Sequence, residues 1–193
     1  MRIERVEVLP YALAFKEPYV TARGRLERRE LVLVRLRGDG LVGLGETASL
    51  SLRGGAPIAA LARELTERGG PLLQGATVEP AAWRALSDRL AGARLSRQAL
   101  AALEVALLDL AGKEAGEPAW KLLGAGAAVP VECNATLVAA EAGAVAKDAL
   151  AWAERGFVTF KLKGGVDGDV EQVERVRAAL GDDARLRVDA NGV

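Results

Sequence analysis

Histidine does not occur once in the 193 residues, and cysteine occurs once, as Cys133. The first absence removes imidazole acid/base chemistry, Ser-His-Asp triads and histidine metal sites from this stretch. The second removes an intrachain disulfide framework, and a lone thiol fits a reducing, cytoplasmic setting. Net charge is also missing, with 26 basic side chains set against 26 acidic ones and no long block of one sign. A nucleic-acid partner or a polybasic contact with a membrane is therefore not expected. No apolar run reaches the roughly 18 to 20 residues that span a bilayer. The opening Met1-Arg2-Ile3-Glu4-Arg5 leads into a strand pattern, not into the apolar centre of a signal peptide. What remains is ordinary globular composition, half of it hydrophobic, enough for one large domain or two small ones.

Lysine is scarce as well. Of the 26 basic residues six are Lys, and two of these stand together in Lys161-Leu162-Lys163. Arginine essentially never releases its proton in a protein, whereas a lysine next to another cation can titrate toward neutral pH. With histidine absent, proton chemistry has to use Lys, Asp, Glu, Tyr or the one Cys. The plain alternative for the lysines is a solvated pair.

The first half reads as an α+β unit. Residues 2–13 alternate, and residues 30–37 and 41–46 flank Gly38-Asp39-Gly40, a hairpin signal. A polar loop is expected over residues 15–27. Helical period follows over 57–68, closed by Gly69-Gly70, then over 80–91, and over 98–116 with one broad apolar face. From residue 129 the pattern changes to strand 129–137, helix 140–155, strand 157–163, helix 169–180 and strand 185–190, the alternation of βαβ units in a parallel sheet.

These three strands share one feature. Residues two apart lie on one face, which sets Glu132, Asn134 and Thr136, then Thr159, Lys161 and Lys163, then Arg187, Asp189 and Asn191, opposite the apolar positions. A sheet covered by helices on both faces reads as continuously apolar. A polar face is expected where strands line a barrel whose C-terminal mouth holds a site, although an open sheet is not excluded by the pattern. Side by side, the strand ends bring together Thr136, Lys161, Lys163, Asp189 and Asn191. Two ammonium groups beside a carboxylate suit removal of a proton next to a carboxylate, with a metal stabilising the enediolate. An internal salt bridge between Asp189 and either lysine accounts for the spacing equally well.

Phe160-Lys161-Leu162-Lys163-Gly164-Gly165 with Arg187-Val188-Asp189-Ala190-Asn191-Gly192 resembles the KxK and DANG segments of the muconate lactonizing enzyme subgroup of the enolase superfamily. Gly43-Leu44-Gly45-Glu46 resembles the end of that subgroup's capping-domain hairpin. The run from Ala102 to Lys113 with Pro118-Ala119-Trp120-Lys121-Leu122-Leu123-Gly124 resembles its segment leading into the barrel. The resemblance implies an α+β capping domain (1–96), a linking helical segment (97–128) and the first βα units of a (β/α) barrel of enolase type (129–193), incomplete in this chain. It implies Mg²⁺, with Mn²⁺ as the alternative, and a small carboxylate substrate. It makes Lys163 the general base or acid and gives Lys161 the task of assisting it and neutralising the substrate carboxylate. Asp189 becomes the first metal ligand, and Asn191 and Thr136 lie near substrate. Loops 15–27 and 48–55 close over the ligand, with Arg23, Arg25 and Arg53 as the cations that would hold a second carboxylate, and the full-length form is expected to be a homo-oligomer. Cys133-Asn134-Ala135-Thr136 resembles a segment of o-succinylbenzoate synthases and N-succinylamino acid racemases, which favours syn-dehydration in menaquinone synthesis. Dipeptide or N-acylamino acid epimerases and muconate cycloisomerases are the alternatives. A non-catalytic module that binds through a strand edge is the alternative of another class.

Overall fold

A computed structural model describes residues 1–21, 23–138, 141–164 and 168–190, and the chain divides into two units, Met1–Tyr19 with Arg25–Ala128 and Val20–Gly24 with Val129–Val193. Three strands, β1 (Arg5–Thr21), β2 (Gly24–Gly38) and β3 (Leu41–Ala48), form a sheet in that order, in the first unit except for Val20, Thr21 and Gly24. β2 and β3 are antiparallel, in register from Leu31↔Ala48 to Gly38↔Leu41. Asp39 and Gly40 both take positive φ, 46° and 78°, between the two strands. That pair of angles is what a two-residue type I′ hairpin needs, and Asp-Gly supplies it.

The polar loop expected over residues 15–27 is instead mostly strand, because β1 and β2 both run on beyond the sheet's core-covered part. Phe15 and Tyr19 lie on one face of β1, their rings stacked at 5.6 Å, and the Arg29 guanidinium sits 5.5 Å from each ring centre. This cross-strand cation–π contact gives a polar-looking segment a reason to stay paired.

The inner face of the sheet, Val32, Val34 and Leu36, is fully buried against helix α4 (Arg97–Ala115). Small residues set the approach. A Cβ on Gly43 would lie 2.3 Å from the Ala106 carbonyl oxygen, and one on Gly45 would lie 1.9 Å from that of Ala102. Asp109 locks the two elements by accepting from the Leu44 N–H at 2.8 Å, while Lys113 donates to the Val42 carbonyl at 2.7 Å. Ser96 caps α4 by accepting from the Ala99 N–H, and its own N–H and hydroxyl donate to Glu64. Tyr11 donates to Glu46, and this bond holds the phenol above its ordinary value.

Around this core lie a 3₁₀ turn (Ser51–Arg53), α1 (Ile58–Glu64), a π-helical turn (Leu65–Gly69), α2 (Gly70–Leu73), α3 (Trp83–Gly92) and α5 (Ala119–Leu122). The expected helix end at Gly69-Gly70 is not there. Helical backbone continues through both glycines, and Gly69 is small because Leu103 packs on it, 2.6 Å from where a Cβ would be.

The second unit is a parallel sheet in the order β4 (Ala135–Leu137), β5 (Thr159–Lys163), β6 (Arg185–Asp189), with α6 (Ala142–Ala153) and α7 (Asp169–Leu180) in the crossovers. β4 is shorter than the expected 129–137. Three of its residues have register partners on β5, and Val129 and Val131 before it are exposed. Ala135, Leu137, Phe160 and Leu162 join Val145, Ala149 and Val176 in one apolar cluster. α6 is capped by Glu141, which accepts from the Gly143 and Ala144 N–H groups at 2.8 and 3.0 Å. Arg177, near the end of α7, donates to the carbonyls of Gly181, Asp182 and Ala184 and fixes the turn into β6. Among the described residues no helix is long and apolar enough to cross a membrane.

Candidate active site at the strand ends

Strand alternation in the second unit sends Phe160 and Leu162 into the apolar cluster and leaves Lys161 and Lys163 on the opposite face. Register then builds the site row by row. Thr136, Lys161 and Arg187 lie side by side, and Lys163 lies beside Asp189 in the next row toward the strand ends. Pairing runs past the strand itself, since the Gly164 N–H donates to the Asp189 carbonyl at 3.0 Å. That bond holds the last row in place where a strand end would otherwise fray.

Both lysines reach the same atom. Lys163 Nζ is 2.7 Å and Lys161 Nζ is 2.8 Å from Asp189 Oδ2, with side chains 20%, 33% and 29% exposed for Lys163, Lys161 and Asp189. Groups this accessible are screened by water, so the pairs contribute little to stability. Their effect is geometric. Two ammonium groups share one carboxylate oxygen at the C-terminal ends of adjacent parallel strands, which is where α/β sheets and barrels bind ligands. The internal salt bridge expected from sequence is thus present, and it engages both lysines instead of one.

The remaining candidates fall as follows. Thr136 is exposed on the same face, its hydroxyl accepting from the Asn134 amide at 3.2 Å. Asn191 lies outside the described residues. Arg23 is exposed and engaged with other groups. In the first unit, Arg25 pairs with Glu27 at 2.7 Å and lines a hollow of about 260 Å³ with Arg28, Ser49 and Ser51. Arg53 ends the 3₁₀ turn and is exposed. The structure therefore brings together Lys161, Lys163, Asp189 and Thr136 on one sheet. Two residues carry more than their sequence setting suggested. Arg187 is the direct neighbour of Lys161, and Arg185 pairs with Glu132 at 2.5 Å. Their period-2 spacing to Asp189 was the available signal.

A divalent cation of the magnesium type takes close to octahedral oxygen coordination. The described residues do not compose such a site. No group of three His, Cys, Asp or Glu side chains able to hold a metal occurs among them, and Asp189 Oδ2 is met by two ammonium groups.

The chain is similar over nearly its whole length to known proteins. Residues 3–124 match the mandelate racemase / muconate lactonizing enzyme N-terminal domain, and residues 144–193 match the enolase C-terminal domain-like family. An N-succinylamino acid racemase of Thermus thermophilus is 34% identical over 99% of this chain and 52% of its own length. The structure of a substrate-liganded complex of L-Ala-D/L-Glu epimerase from Bacillus subtilis superposes with a TM-score of 0.87 at 28% identity, covering 99% of this chain and 54% of that one. A dipeptide epimerase from Enterococcus faecalis, complexed with Mg and the dipeptide L-Leu-L-Tyr, gives a TM-score of 0.85 at 30% identity, again over 99% and 54%. The chain spans about half the length of the relatives it matches.

Proposed function

This chain belongs to the mandelate racemase / muconate lactonizing enzyme family of the enolase superfamily, and from that premise we propose that it carries the proton-abstracting half of an enzyme acting on a small carboxylate. In this reading Lys163 removes the proton α to the carboxylate, and Lys161 lies beside it to compensate the negative charge that develops. The observation that carries the reading is the convergence of both ammonium groups on Asp189 Oδ2 at the strand ends. A lysine can cycle between base and acid here, and an arginine could not. Asp189 would offer one oxygen to Mg²⁺, or to Mn²⁺, which when bound supplies positive charge against the substrate carboxylate. The remaining ligands would come from sequence corresponding to the other half of the relatives.

Among reactions open to such a site, epimerisation or racemisation of a dipeptide or an N-acylated amino acid has the broadest support. Several of the relatives carry the names racemase and epimerase, beside cycloisomerases and muconate lactonizing enzymes, and this chain is covered almost fully by two solved epimerases. Dehydration to o-succinylbenzoate is the second reading. It is favoured by the Asn134-Ala135-Thr136 segment, whose Thr136 stands in the row of Lys161 and takes a hydrogen bond from Asn134.

The test joins these residues to the relatives' other half in one chain and incubates it with a panel of dipeptides and N-succinylamino acids in D₂O with Mg²⁺. Incorporation of deuterium at Cα, followed by NMR and abolished by Lys163→Ala, is the expected result. Turnover of the cyclohexadiene carboxylate whose syn-dehydration gives o-succinylbenzoate, with no exchange into any amino-acid derivative, would replace epimerisation by dehydration. No exchange and no turnover in any of them would overturn the catalytic reading.

A further inference from the structure

Lys161 does not pair within its own row. Its register partner on β6 is Arg187, yet its ammonium lies 2.8 Å from Asp189 Oδ2, in the row that belongs to Lys163. One row is two residues, about 6.6 Å along a parallel strand, an offset that the Lys161 and Asp189 side chains span between them. Arg187 is exposed on the same face and has no hydrogen-bond or ion-pair partner among the described residues. On the other side of Lys161, Thr136 presents a neutral hydroxyl that already accepts from Asn134. Glu132, in the coil before β4, is held by Arg185.

We propose that Arg187 is a positioning residue for Lys161. Its guanidinium makes the row of Lys161 repulsive to an ammonium, while Arg185 keeps Glu132 engaged. Asp189, one row on, is then the nearest carboxylate on this face with which Lys161 can pair. The two lysines are thereby gathered on one oxygen, beside the place where the substrate carboxylate would bind. Even at the dielectric of water, a like charge about 4.8 Å away, one strand spacing, biases populations about fourfold. Enclosure in a barrel would strengthen the bias. The inference rests on the proton-transfer reading for its purpose, but the geometry is measurable without any substrate.

Carbodiimide crosslinking of the 193-residue chain, with the crosslinked peptides read by mass spectrometry, joins a carboxylate to the amine it contacts. The wild-type chain is expected to yield both 161–189 and 163–189 crosslinks. In Arg187→Glu the introduced carboxylate should capture Lys161, giving a 161–187 crosslink and lowering the 161–189 yield about fourfold or more. Arg187→Gln should lower 161–189 relative to 163–189, and Arg187→Lys should restore it. Circular dichroism checks that each variant is folded. If Arg187→Glu unfolds, Arg187→Gln decides, because it removes the charge and adds no new partner. An unchanged 161–189 yield in the folded variants, or no recovery in Arg187→Lys, overturns the positioning role. Such an outcome leaves the proton-transfer reading standing, whereas absence of Cα exchange in the joined enzyme would remove that reading and leave the crosslinking result intact.

Discussion

Gly45 of β3 and Ala102 of α4 approach so closely that a Cβ on Gly45 would lie 1.9 Å from the Ala102 carbonyl oxygen. Backbone cannot yield as a flexible side chain does, so Gly45→Ala must push the helix off the sheet that buries Val32, Val34 and Leu36. Overpacking of this kind costs about 1–3 kcal/mol or more. Gly92, at the end of α3 with open space around it, is the contrast, and Gly92→Ala should be neutral or stabilise by up to about 1 kcal/mol. Urea unfolding of both variants measures the difference. Equal midpoints would mean that the sheet and α4 are not packed as described.

Lys163→Ala in the joined enzyme is expected to lower the rate of Cα proton exchange by about 10² to 10⁴ while leaving Mg²⁺ binding nearly intact. The Lys163 contact with Asp189 is an ammonium–carboxylate pair, and losing it frees an oxygen instead of removing one. Exchange within about tenfold of the wild type would remove Lys163 from the role of base.

Asp189→Asn separates the two tasks in the other direction. The substitution removes the negative charge from the oxygen that both lysines share, and a hard cation depends on carboxylate oxygens. Calorimetry on the joined enzyme should show Mg²⁺ affinity reduced more than tenfold, and on the 193-residue chain should show weak binding or none with either residue. Unchanged affinity would place the cation elsewhere.

Much of this site was legible because a strand has a period of exactly two residues, so Lys161, Lys163 and Asp189 declare their shared face in the sequence alone. Their meeting on one oxygen was not legible. It depends on which β6 residue lies opposite which β5 residue, and on Lys161 crossing a row. The extended hairpin was hidden for a related reason, since Phe15, Tyr19 and Arg29 stabilise it through contacts between strands and not through apolar alternation within one. Gly69 misled as a helix stop because glycine serves turns and tight packing alike, and only Leu103 against it tells which.

The 193-residue chain by itself is expected to associate. Val170 and Val188 are 69% and 53% exposed and line one hollow with Val173, and β6 pairs with β5 alone among the described strands. An open strand edge beside an apolar groove is a template for another chain. Light scattering should give a mass above that of the monomer. Adding the relatives' other half as a separate polypeptide should bring that mass to the one-to-one pair, and a persistent monomer would speak against the edge being open.

Glu141 links the stability of the second unit to pH. Its carboxylate accepts the Gly143 and Ala144 N–H groups at the start of α6, and these bonds, with a smaller contribution from the charge of Arg175, hold it below its ordinary value of 4.5. A carboxyl group whose folded value is depressed binds its proton more readily in the unfolded chain. It therefore contributes stability above the unfolded value, and that contribution is lost as pH falls through the folded value. Glu141→Ala should lower the thermal midpoint at about pH 7, where the unfolded carboxyl is fully ionised. The gap between the variant and the wild type should narrow once pH drops below 4.5. Glu141→Gln, which keeps an acceptor for the N–H groups but not the charge, should fall between the two at neutral pH. Thermal unfolding followed by circular dichroism across this range measures all three. A gap that stayed constant down to strongly acidic pH would mean that the cap acts through helix propensity and not through the ionised carboxylate.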